Sequence, residues 1–206
     1  LYKKGTDIPL EARIEKMSKR QGNVVNPDQV VDKYGADAMR VYICFMGPLS
    51  ADKPWQTNGL EGQAAWLRRV WRLYFEEVEG KDVSRVDDSE PTEAELRILH
   101  KAVKKVSTDI ESLDLNTAIS ALHVAARDLT QEKTRSRKIL GPLAQIIHPF
   151  APHLAEELWA TALSQPKGIS FAPWPEHDDR YAVDDEIRMG VQVLGKTRGE
   201  ILIARD

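Results

Sequence analysis

TEAELRILHKAVKKVSTDIESL, residues 92–113, is the stretch that decides the fold. Its apolar residues recur at alternating intervals of three and four, which places them on one face of a helix. Thr92, with Glu95 three residues later, forms a capping box that marks the helix N-terminus. The stripe predicts a helix that packs against others in a bundle, and it consists of Leu96, Leu99, Val103, Val106, Ile110 and Leu113.

Further amphipathic helices are predicted on both sides of this stretch. One begins near Asn58 and runs to Val78, and the polar segment 80–91 connects it to the next. Asp114 is expected to cap a third helix, and a fourth follows the basic corner at 131–138. The predicted fold class is therefore mainly α, an antiparallel helical bundle over residues 58–165.

The segments that flank the bundle have different patterns. Residues 1–57 contain a loop and two short helices, the first capped by Asn26 with Pro27 at its first position. Residues 166–187 are rich in Pro and Asp, which indicates an extended linker laid on the bundle surface. Residues 188–206 alternate apolar and polar side chains, which predicts a β-hairpin, truncated at the start of another small domain.

Composition excludes several classes of protein. The 206 residues are 42% hydrophobic and carry a net charge of −3, so any contact with nucleic acid must come from local basic patches. One cysteine, Cys44, allows neither an internal disulfide nor a Cys/His zinc site, and a reducing cytoplasm fits. No apolar run is long enough for a membrane span. Because the first residue is not Met, we expect a piece of a longer protein.

The loop EKMSKRQGN, residues 15–23, carries the most informative charges. Lys16 and Lys19 lie three residues apart with Ser18 between them, and a Gly22-Asn23 turn follows. Such a loop can bring two ammonium groups to a polyphosphate. In isolation, however, the same residues also fit an ordinary solvated basic turn.

The sequence around this loop resembles a known family. KMSKR at 16–20 is similar to the Lys-Met-Ser-Lys-Ser loop of class I aminoacyl-tRNA synthetases, with Arg20 where that family usually has Ser. HPFAPHLAEELW at 148–159 is shared with valyl and isoleucyl relatives. Leu194 stands where Asn usually precedes Gly in the last hairpin. The leucyl-tRNA synthetases are indicated more narrowly by FMGPL (45–49), KPW (53–55), GLEG (59–62), LNTAISAL (115–122) and QVLGKTRG (192–199).

The resemblance implies a domain arrangement and a reaction. Residues 1–57 would end the catalytic domain, 58–165 would be a bundle of the class Ia anticodon-binding type, and 188–206 would open the C-terminal domain. The parent enzyme would be a cytoplasmic, monomeric ligase that activates leucine with ATP and transfers it to tRNA(Leu). The 206 residues alone are expected to be inactive, because they lack the nucleotide fold and the leucine pocket.

The resemblance also assigns roles to loop residues. Lys19 would contact ATP and Lys16 would assist it, while Ser18 would either contact phosphate or cap the loop. Gly22 and Asn23 are expected to serve loop geometry. Mg²⁺ is expected with ATP in the parent enzyme, and no side-chain metal ligands are predicted in this segment.

Basic residues of the bundle are candidates for contacts with tRNA phosphates, which position an RNA without reading its bases. An outward charged face is also what any solvated helix has, so this assignment competes with a purely structural one. We further expect Asp37 and Arg40 to pair and brace the helices behind the loop. The candidate set comprises Arg68, Arg69 and Arg72 on the first bundle helix and Lys133, Arg135, Arg137 and Lys138 at the later corner.

A second hypothesis is a non-catalytic helical module that binds RNA or protein, with the basic loop incidental. The feature that discriminates is the position of residues 16–20 immediately before the Asn26-Pro27 helix. A bundle without chemistry has no need of that loop.

Overall fold

The computed structural model describes residues 5, 7, 14–48, 50–183, 186–193 and 196–204. This part of the chain is mainly helical with two small antiparallel sheets, which confirms the predicted fold class. Leu194 and Gly195, where the sequence predicted the last hairpin to turn, lie outside the described residues. In chain order the elements are α1 (Pro27–Tyr34), α2 (Ala36–Phe45), α3 (Thr57–Tyr74), β1 (Phe75–Val78), β2 (Lys81–Ser84), α4 (Glu93–Glu111), α5 (Leu115–Gln131), α6 (Arg137–Ile147), α7 (Pro152–Glu157), a π turn (Leu158–Ala162), a 3₁₀ turn (Ile169–Phe171), α8 (Asp179–Ala182), β3 (Glu186–Val193) and β4 (Lys196–Ala204).

Local signals set the bounds of α1. The Asn26 side chain accepts a hydrogen bond from the backbone N–H of Asp28 at 3.0 Å, and Pro27 occupies the first helical position. Gly35 follows the helix with a φ of 89°, a conformation that glycine adopts without steric cost. The predicted start of this helix is confirmed.

Helix α3 ends at Tyr74, so the prediction that it continues to Val78 is wrong. Residues 75–78 instead form β1, which pairs with β2 in the register Phe75↔Ser84 to Val78↔Lys81. Glu79 and Gly80 between the strands have φ values of 51° and 75°, and two successive positive φ values are what a tight hairpin turn requires. Glu-Gly is a weaker hairpin signal than Asn-Gly, and Val78 happened to fit the helical spacing.

Helix α4 begins at the predicted capping box. The Thr92 hydroxyl accepts from the Glu95 N–H at 3.2 Å, and the Glu95 carboxylate accepts from the Thr92 N–H at 2.7 Å. Asp114 lies at the predicted N-cap position of α5, but its side chain does not cap that helix. Its carboxylate accepts instead from the Ser112 hydroxyl at 2.8 Å, because the end of α4 brings that hydroxyl within reach.

Helix α4 ends in a Schellman motif. The Leu113 N–H donates to the Ile110 carbonyl at 3.2 Å, and the Asp114 N–H donates to the Asp109 carbonyl at 2.8 Å. Leu113 occupies the position that usually holds glycine, with a φ of 61°. A side chain with a Cβ atom is strained in that region.

We expect Leu113→Gly to raise the free energy of unfolding by about 0.5–1 kcal/mol, because glycine removes the clash of Cβ in the left-handed region. Little burial is lost, since Leu113 is 60% exposed. Urea unfolding of the chain measures the effect. Leu113→Ala keeps Cβ and should give no gain, so equal stabilisation by both variants would contradict the strain argument.

Helix α5 lies at the centre of the bundle, in contact with α2, α3 and α4. Its inward residues Ile119, Leu122 and Leu129 are fully buried, and the core continues through the apolar face of α6. None of the helices in the described ranges combines the length and the apolar character that crossing a bilayer requires.

The segment after the bundle lies along α4. The Trp174 indole N–H donates to the Ser107 hydroxyl at 2.8 Å, and the Asp178 N–H donates to Nδ1 of His100 at 3.0 Å. Lys104 pairs with Asp179 at 2.8 Å. These contacts fix the chain that leads to β3.

Candidate functional site

The loop at residues 15–23 is held closed by the side chain of Asn23. Its amide oxygen accepts from the Ser18 N–H at 2.7 Å, and its amide nitrogen donates to the Lys16 carbonyl at 3.3 Å. Gly22 closes the turn with a φ of 68°, and its N–H donates to the Ser18 carbonyl at 3.1 Å. Asn23 and Gly22 therefore serve loop geometry, as the sequence predicted.

The cationic side chains of this loop are exposed. Lys16, Ser18 and Arg20 line one open concavity, while Lys19 is not among its lining residues. Within the described ranges neither lysine makes an ion pair. The two ammonium groups are therefore available to an anionic ligand, and of the two lysines Lys16 lines this concavity.

Helix α2 ties the loop-bearing segment to the bundle through two charged residues. The buried Asp37 carboxylate accepts from the backbone N–H groups of Leu154 at 2.7 Å and His153 at 3.4 Å, which satisfies free N–H groups at the start of α7. It also contacts Nδ1 of His153 at 2.8 Å. The Arg40 guanidinium donates to the Pro149 carbonyl at 2.9 Å and to the Phe150 carbonyl at 3.3 Å.

The prediction that Asp37 and Arg40 pair with each other is therefore wrong. Each residue binds the backbone at the corner between α6 and α7, more than 100 positions away in sequence. The sequence did not indicate these contacts, because Asp37 and Arg40 lie about one turn apart on a helix. That spacing suggested a local pair. Both side chains still brace the helices behind the loop.

The three arginines of α3 that were predicted to contact tRNA phosphates are all exposed, and they lie on two different surfaces. Arg68 and Arg72 line a concave surface beside the β1–β2 hairpin, together with Arg85. Three carboxylates, those of Glu76, Glu77 and Asp82, line the same surface, so the formal charges of its lining residues balance. Arg69 lies on the other flank, in a cleft between α3 and α5 that also contains Arg127.

The basic corner before α6 is largely neutralised. Arg137 pairs with Asp88 at 2.8 Å and also donates to the Leu163 carbonyl, and Lys138 pairs with Glu90 at 2.5 Å. Arg135 lies 3.8 Å from the Glu76 carboxylate.

A backbone contact explains these pairs. The Asp87 N–H donates to the Arg135 carbonyl at 3.0 Å, and the Arg137 N–H donates to the Asp87 carbonyl at 2.8 Å. These bonds lay the acidic segment 87–90 along the corner.

Lys133, the fourth residue of the corner, is exposed and occupies a second Schellman motif at the end of α5, with a φ of 56°. Its N–H donates to the Thr130 carbonyl at 3.2 Å, and the Thr134 N–H donates to the Leu129 carbonyl at 3.1 Å. Its backbone thus has a local structural role, while its side chain is open to solvent.

Arg85 and Arg127 join the predicted basic residues, although sequence reasoning missed both. Arg85 was missed because it directly follows the β1–β2 hairpin, and that hairpin was not predicted. The hairpin places Arg85 beside Arg68 and Arg72 of α3. The Nε of Arg85 is buried and has no hydrogen-bond acceptor in the described part of the chain. Arg127 lies on α5, in a helix whose predicted role was only to fill the core.

His123 lies between two aromatic rings near Arg69. Its imidazole stacks on Trp66 with ring centroids 4.6 Å apart and on Phe45 at 5.5 Å. Its Nε2 is 2.9 Å from Oε1 of the buried Gln63. Burial, and next the charge of Arg69, lower the pKa of His123 to about 4, so the ring is neutral at pH 7.

We expect the wild-type chain to lose stability relative to His123→Phe as the pH falls from 6.5 towards 4. In that window the unfolded chain binds a proton at this residue that the folded chain does not, so the full contribution is present only above the unfolded pKa. Urea unfolding across this range measures the difference. Parallel stability curves for the two proteins would contradict it.

Within the described residues no group of three His, Cys, Asp or Glu side chains is arranged to hold a metal ion. The candidate residues of the loop and of α3 carry ammonium and guanidinium groups that face solvent. Such groups bind phosphates.

Comparison with known proteins identifies the family to which the loop segment and the helical bundle are similar. The profile of the class I tRNA synthetases for isoleucine, leucine, methionine and valine matches residues 7–56, which include the loop. The profile described as the anticodon-binding domain of tRNA ligase matches residues 95–206, more than half of the chain. The chain belongs to this tRNA ligase family.

Individual tRNA ligases are similar over nearly the whole chain. Leucine–tRNA ligase from Leptospira biflexa is 45% identical over 93% of the chain, and that from Porphyromonas gingivalis is 46% identical over 94%. The enzyme from Chloroherpeton thalassium is 48% identical over 90%. These matches confirm the predicted resemblance to the leucyl enzymes. The chain spans only about a fifth of their length, at 22%, 20% and 23% respectively.

A solved tRNA ligase also has a similar fold. It is the agnB2 LeuRS of Agrobacterium radiobacter K84, determined as a ternary complex with tRNA and LeuAMS. The TM-score is 0.70 at 29% sequence identity, over 92% of this chain and 25% of that one.

Proposed function

We propose that the chain is the part of a leucine–tRNA ligase that supplies a mobile cationic loop for ATP and a helical surface for tRNA(Leu). One observation carries the proposal: a clamped loop, whose two lysines make no ion pair within the described ranges, leads through α1 into α2, which is bonded to an anticodon-binding-type bundle. The similarity to leucine–tRNA ligases supports leucine as the amino-acid substrate. The reaction itself belongs to the whole enzyme.

The first step joins leucine to AMP. A leucine carboxylate oxygen attacks the α-phosphorus of ATP, the bond from that phosphorus to the bridging oxygen of the β-phosphate breaks, and pyrophosphate leaves with the electron pair. Negative charge grows on the leaving group, so a cation that closes on it stabilises the transition state more than the ground state. Lys19 is proposed for this role, with Lys16 as its partner and Ser18 as a further phosphate contact.

The clamp by Asn23 sets the geometry from which the loop moves. It uses the Ser18 N–H and the Lys16 carbonyl, so the backbone stays folded while both lysine side chains remain free. Closure onto ATP would bring Lys19 and Lys16 to one ligand. Any Mg²⁺ is expected to arrive with the nucleotide.

The second step transfers the leucyl group from the adenylate to tRNA(Leu) with AMP as the leaving group, and the bundle is proposed to position that RNA. Arg68, Arg69 and Arg72 are exposed and make no ion pair within the described ranges, which favours phosphate contacts. Arg135, Arg137 and Lys138 already have carboxylates nearby, so they and Lys133 are proposed as secondary contacts. We propose a cytoplasmic, monomeric enzyme.

We expect Arg68→Gln with Arg72→Gln to weaken binding of tRNA(Leu) to the chain and to flatten its salt dependence. Each lost phosphate contact should reduce the slope of log K against log salt by about 0.7–0.9, because fewer counterions are released. Titrations of labelled tRNA at several salt concentrations measure this slope.

Arg180→Gln is the matched control, since Asp178 already neutralises that arginine at 2.5 Å. It should leave the slope unchanged. A salt-independent affinity, or equal slopes for all three proteins, would defeat the proposed tRNA surface. Binding of RNA without any effect of the loop lysines on catalysis by the full-length enzyme would instead favour a non-catalytic RNA-binding module.

A further inference from the structure

The cleft between α3 and α5 carries two positive charges, and none of the described residues that line it carries a carboxylate. It has a volume of about 570 Å³. The guanidinium groups belong to Arg69 of α3 and Arg127 of α5, and Thr130 and Gln131 add uncharged polar groups. The chain has 32 acidic and 29 basic residues, so carboxylates are not scarce. A concave surface lined by charges of one sign attracts ions of the other sign, in this case anions.

The packing of α3 on α5 places the two arginines on neighbouring turns. The rings of Trp66 and His123, one on each helix, stack with centroids 4.6 Å apart. The residues that line the cleft begin at Trp66 on α3 and at His123 on α5, and they continue from there towards the C-terminal end of each helix. Arg69 lies three positions after Trp66, and Arg127 lies four positions after His123, which is about one helical turn in each case. Both arginines therefore lie on the same side of the stacked rings.

Both guanidinium groups can bind a further anion. Arg69 is exposed and makes no ion pair within the described ranges. Arg127 contacts its sequence neighbour Asp128 through Nε at 2.7 Å, and its side chain is 64% exposed. That contact leaves the two terminal nitrogens of Arg127 without an ion-pair partner in the described part of the chain. The neighbouring wall includes the buried side chains of Trp66 and Ala126, and an apolar wall strengthens the attraction between charges beside it.

We propose that this cleft binds a phosphate group, which the guanidinium groups of Arg69 and Arg127 hold together. A phosphate presents oxygens in several directions, so two guanidiniums from different helices can bind it at the same time, each in a bidentate manner. A carboxylate has two oxygens and one charge, which a single guanidinium already satisfies. Two arginines on separate helices therefore fit a phosphate better than they fit an acidic side chain.

The phosphate could be a free anion or part of an RNA backbone, and only the second source rests on the proposed function. If RNA is the source, Arg127 becomes a phosphate contact on α5, in addition to those proposed on α3. The probes for the two sources are inorganic phosphate and a short RNA duplex. A duplex offers its backbone while its bases stay paired and stacked, so it tests a phosphate contact without a base contact.

The test follows the Nε–H signals of Arg69 and Arg127 by NMR in the 206-residue chain, each assigned by its own Arg→Gln variant. A phosphate held by both groups should shift both signals along one saturation curve. Arg69→Gln should weaken the binding measured at Arg127 by about tenfold or more, and Arg127→Gln should do the same at Arg69, because each loses a charged hydrogen-bond donor. Arg180→Gln is the control and should change neither curve, since that arginine is paired with Asp178.

Each outcome supports or overturns the phosphate site. Saturation by the RNA duplex, with or without a response to inorganic phosphate, assigns the cleft to a backbone phosphate, and saturation by inorganic phosphate alone assigns it to a free anion. Equal binding of acetate, no saturation by either probe, or a variant that leaves the affinity at the other arginine unchanged overturns the proposal. Because the readout involves neither the loop lysines nor Arg68 and Arg72, failure here leaves the proposed function standing, and the reverse also holds.

Discussion

Lys19→Ala is expected to slow leucine-dependent pyrophosphate exchange about 100- to 1000-fold in the proposed full-length ligase. The loss corresponds to about 2.7–4 kcal/mol, the range found when one preorganised donor is removed from a developing negative charge. Lys19 is exposed and has no carboxylate to neutralise it in the described residues, so its replacement removes charge without breaking a structural pair. The effect should fall mainly on kcat, because the charge develops in the transition state.

The control for this substitution is Lys33→Ala, which removes an exposed lysine from α1 and should leave exchange unchanged. Asn23→Ala separates position from charge: it keeps both lysines but removes the clamp on the Ser18 N–H and the Lys16 carbonyl. It should lower the rate by less than Lys19→Ala. A near-normal exchange rate for Lys19→Ala would remove the catalytic assignment of the loop.

Leu122→Ala should destabilise the chain by about 2–5 kcal/mol, the largest effect expected on folding. Leu122 is completely buried on α5, the helix that contacts α2, α3 and α4. Its removal loses the transfer free energy of the side chain and leaves a cavity that three packed neighbours can only partly fill. The urea midpoint should fall with little change in the slope of the transition.

Val124→Ala provides the comparison, two positions along the same helix but 47% exposed. It should change the free energy of unfolding by no more than about 0.5 kcal/mol. Similar losses for the two variants would show that α5 does not carry the core.

Signals that act within a few residues were correctly predicted from the sequence. The Asn26-Pro27 start of α1 and the Thr92/Glu95 capping box both form as expected, because each depends on hydrogen bonds between near neighbours. The roles of Gly22 and Asn23 in the loop were predicted for the same reason. The apolar stripe of α4 also predicted a helical bundle, because other helices must cover an apolar face to remove it from water.

Predictions that depended on distant partners failed or were incomplete. Asp37 and Arg40 bind the backbone around Pro149 and Leu154, not each other. The charges at Arg137 and Lys138 looked free in the sequence but meet Asp88 and Glu90. The hairpin after Tyr74 was read as helix, because local spacing outweighed a weak turn signal.

The sequence by itself determined the mainly helical fold, the cationic loop and the resemblance to leucyl-tRNA synthetases. Apolar spacing and short motifs involve residues that are close together in the chain, so both can be recognised in the sequence alone. Only the tertiary structure decided which charges remain available, because ion pairing joins segments that are far apart in the chain. It also decided that Arg69 and Arg127 share a cleft beside a stacked tryptophan and histidine, since α3 and α5 meet only after the bundle has packed.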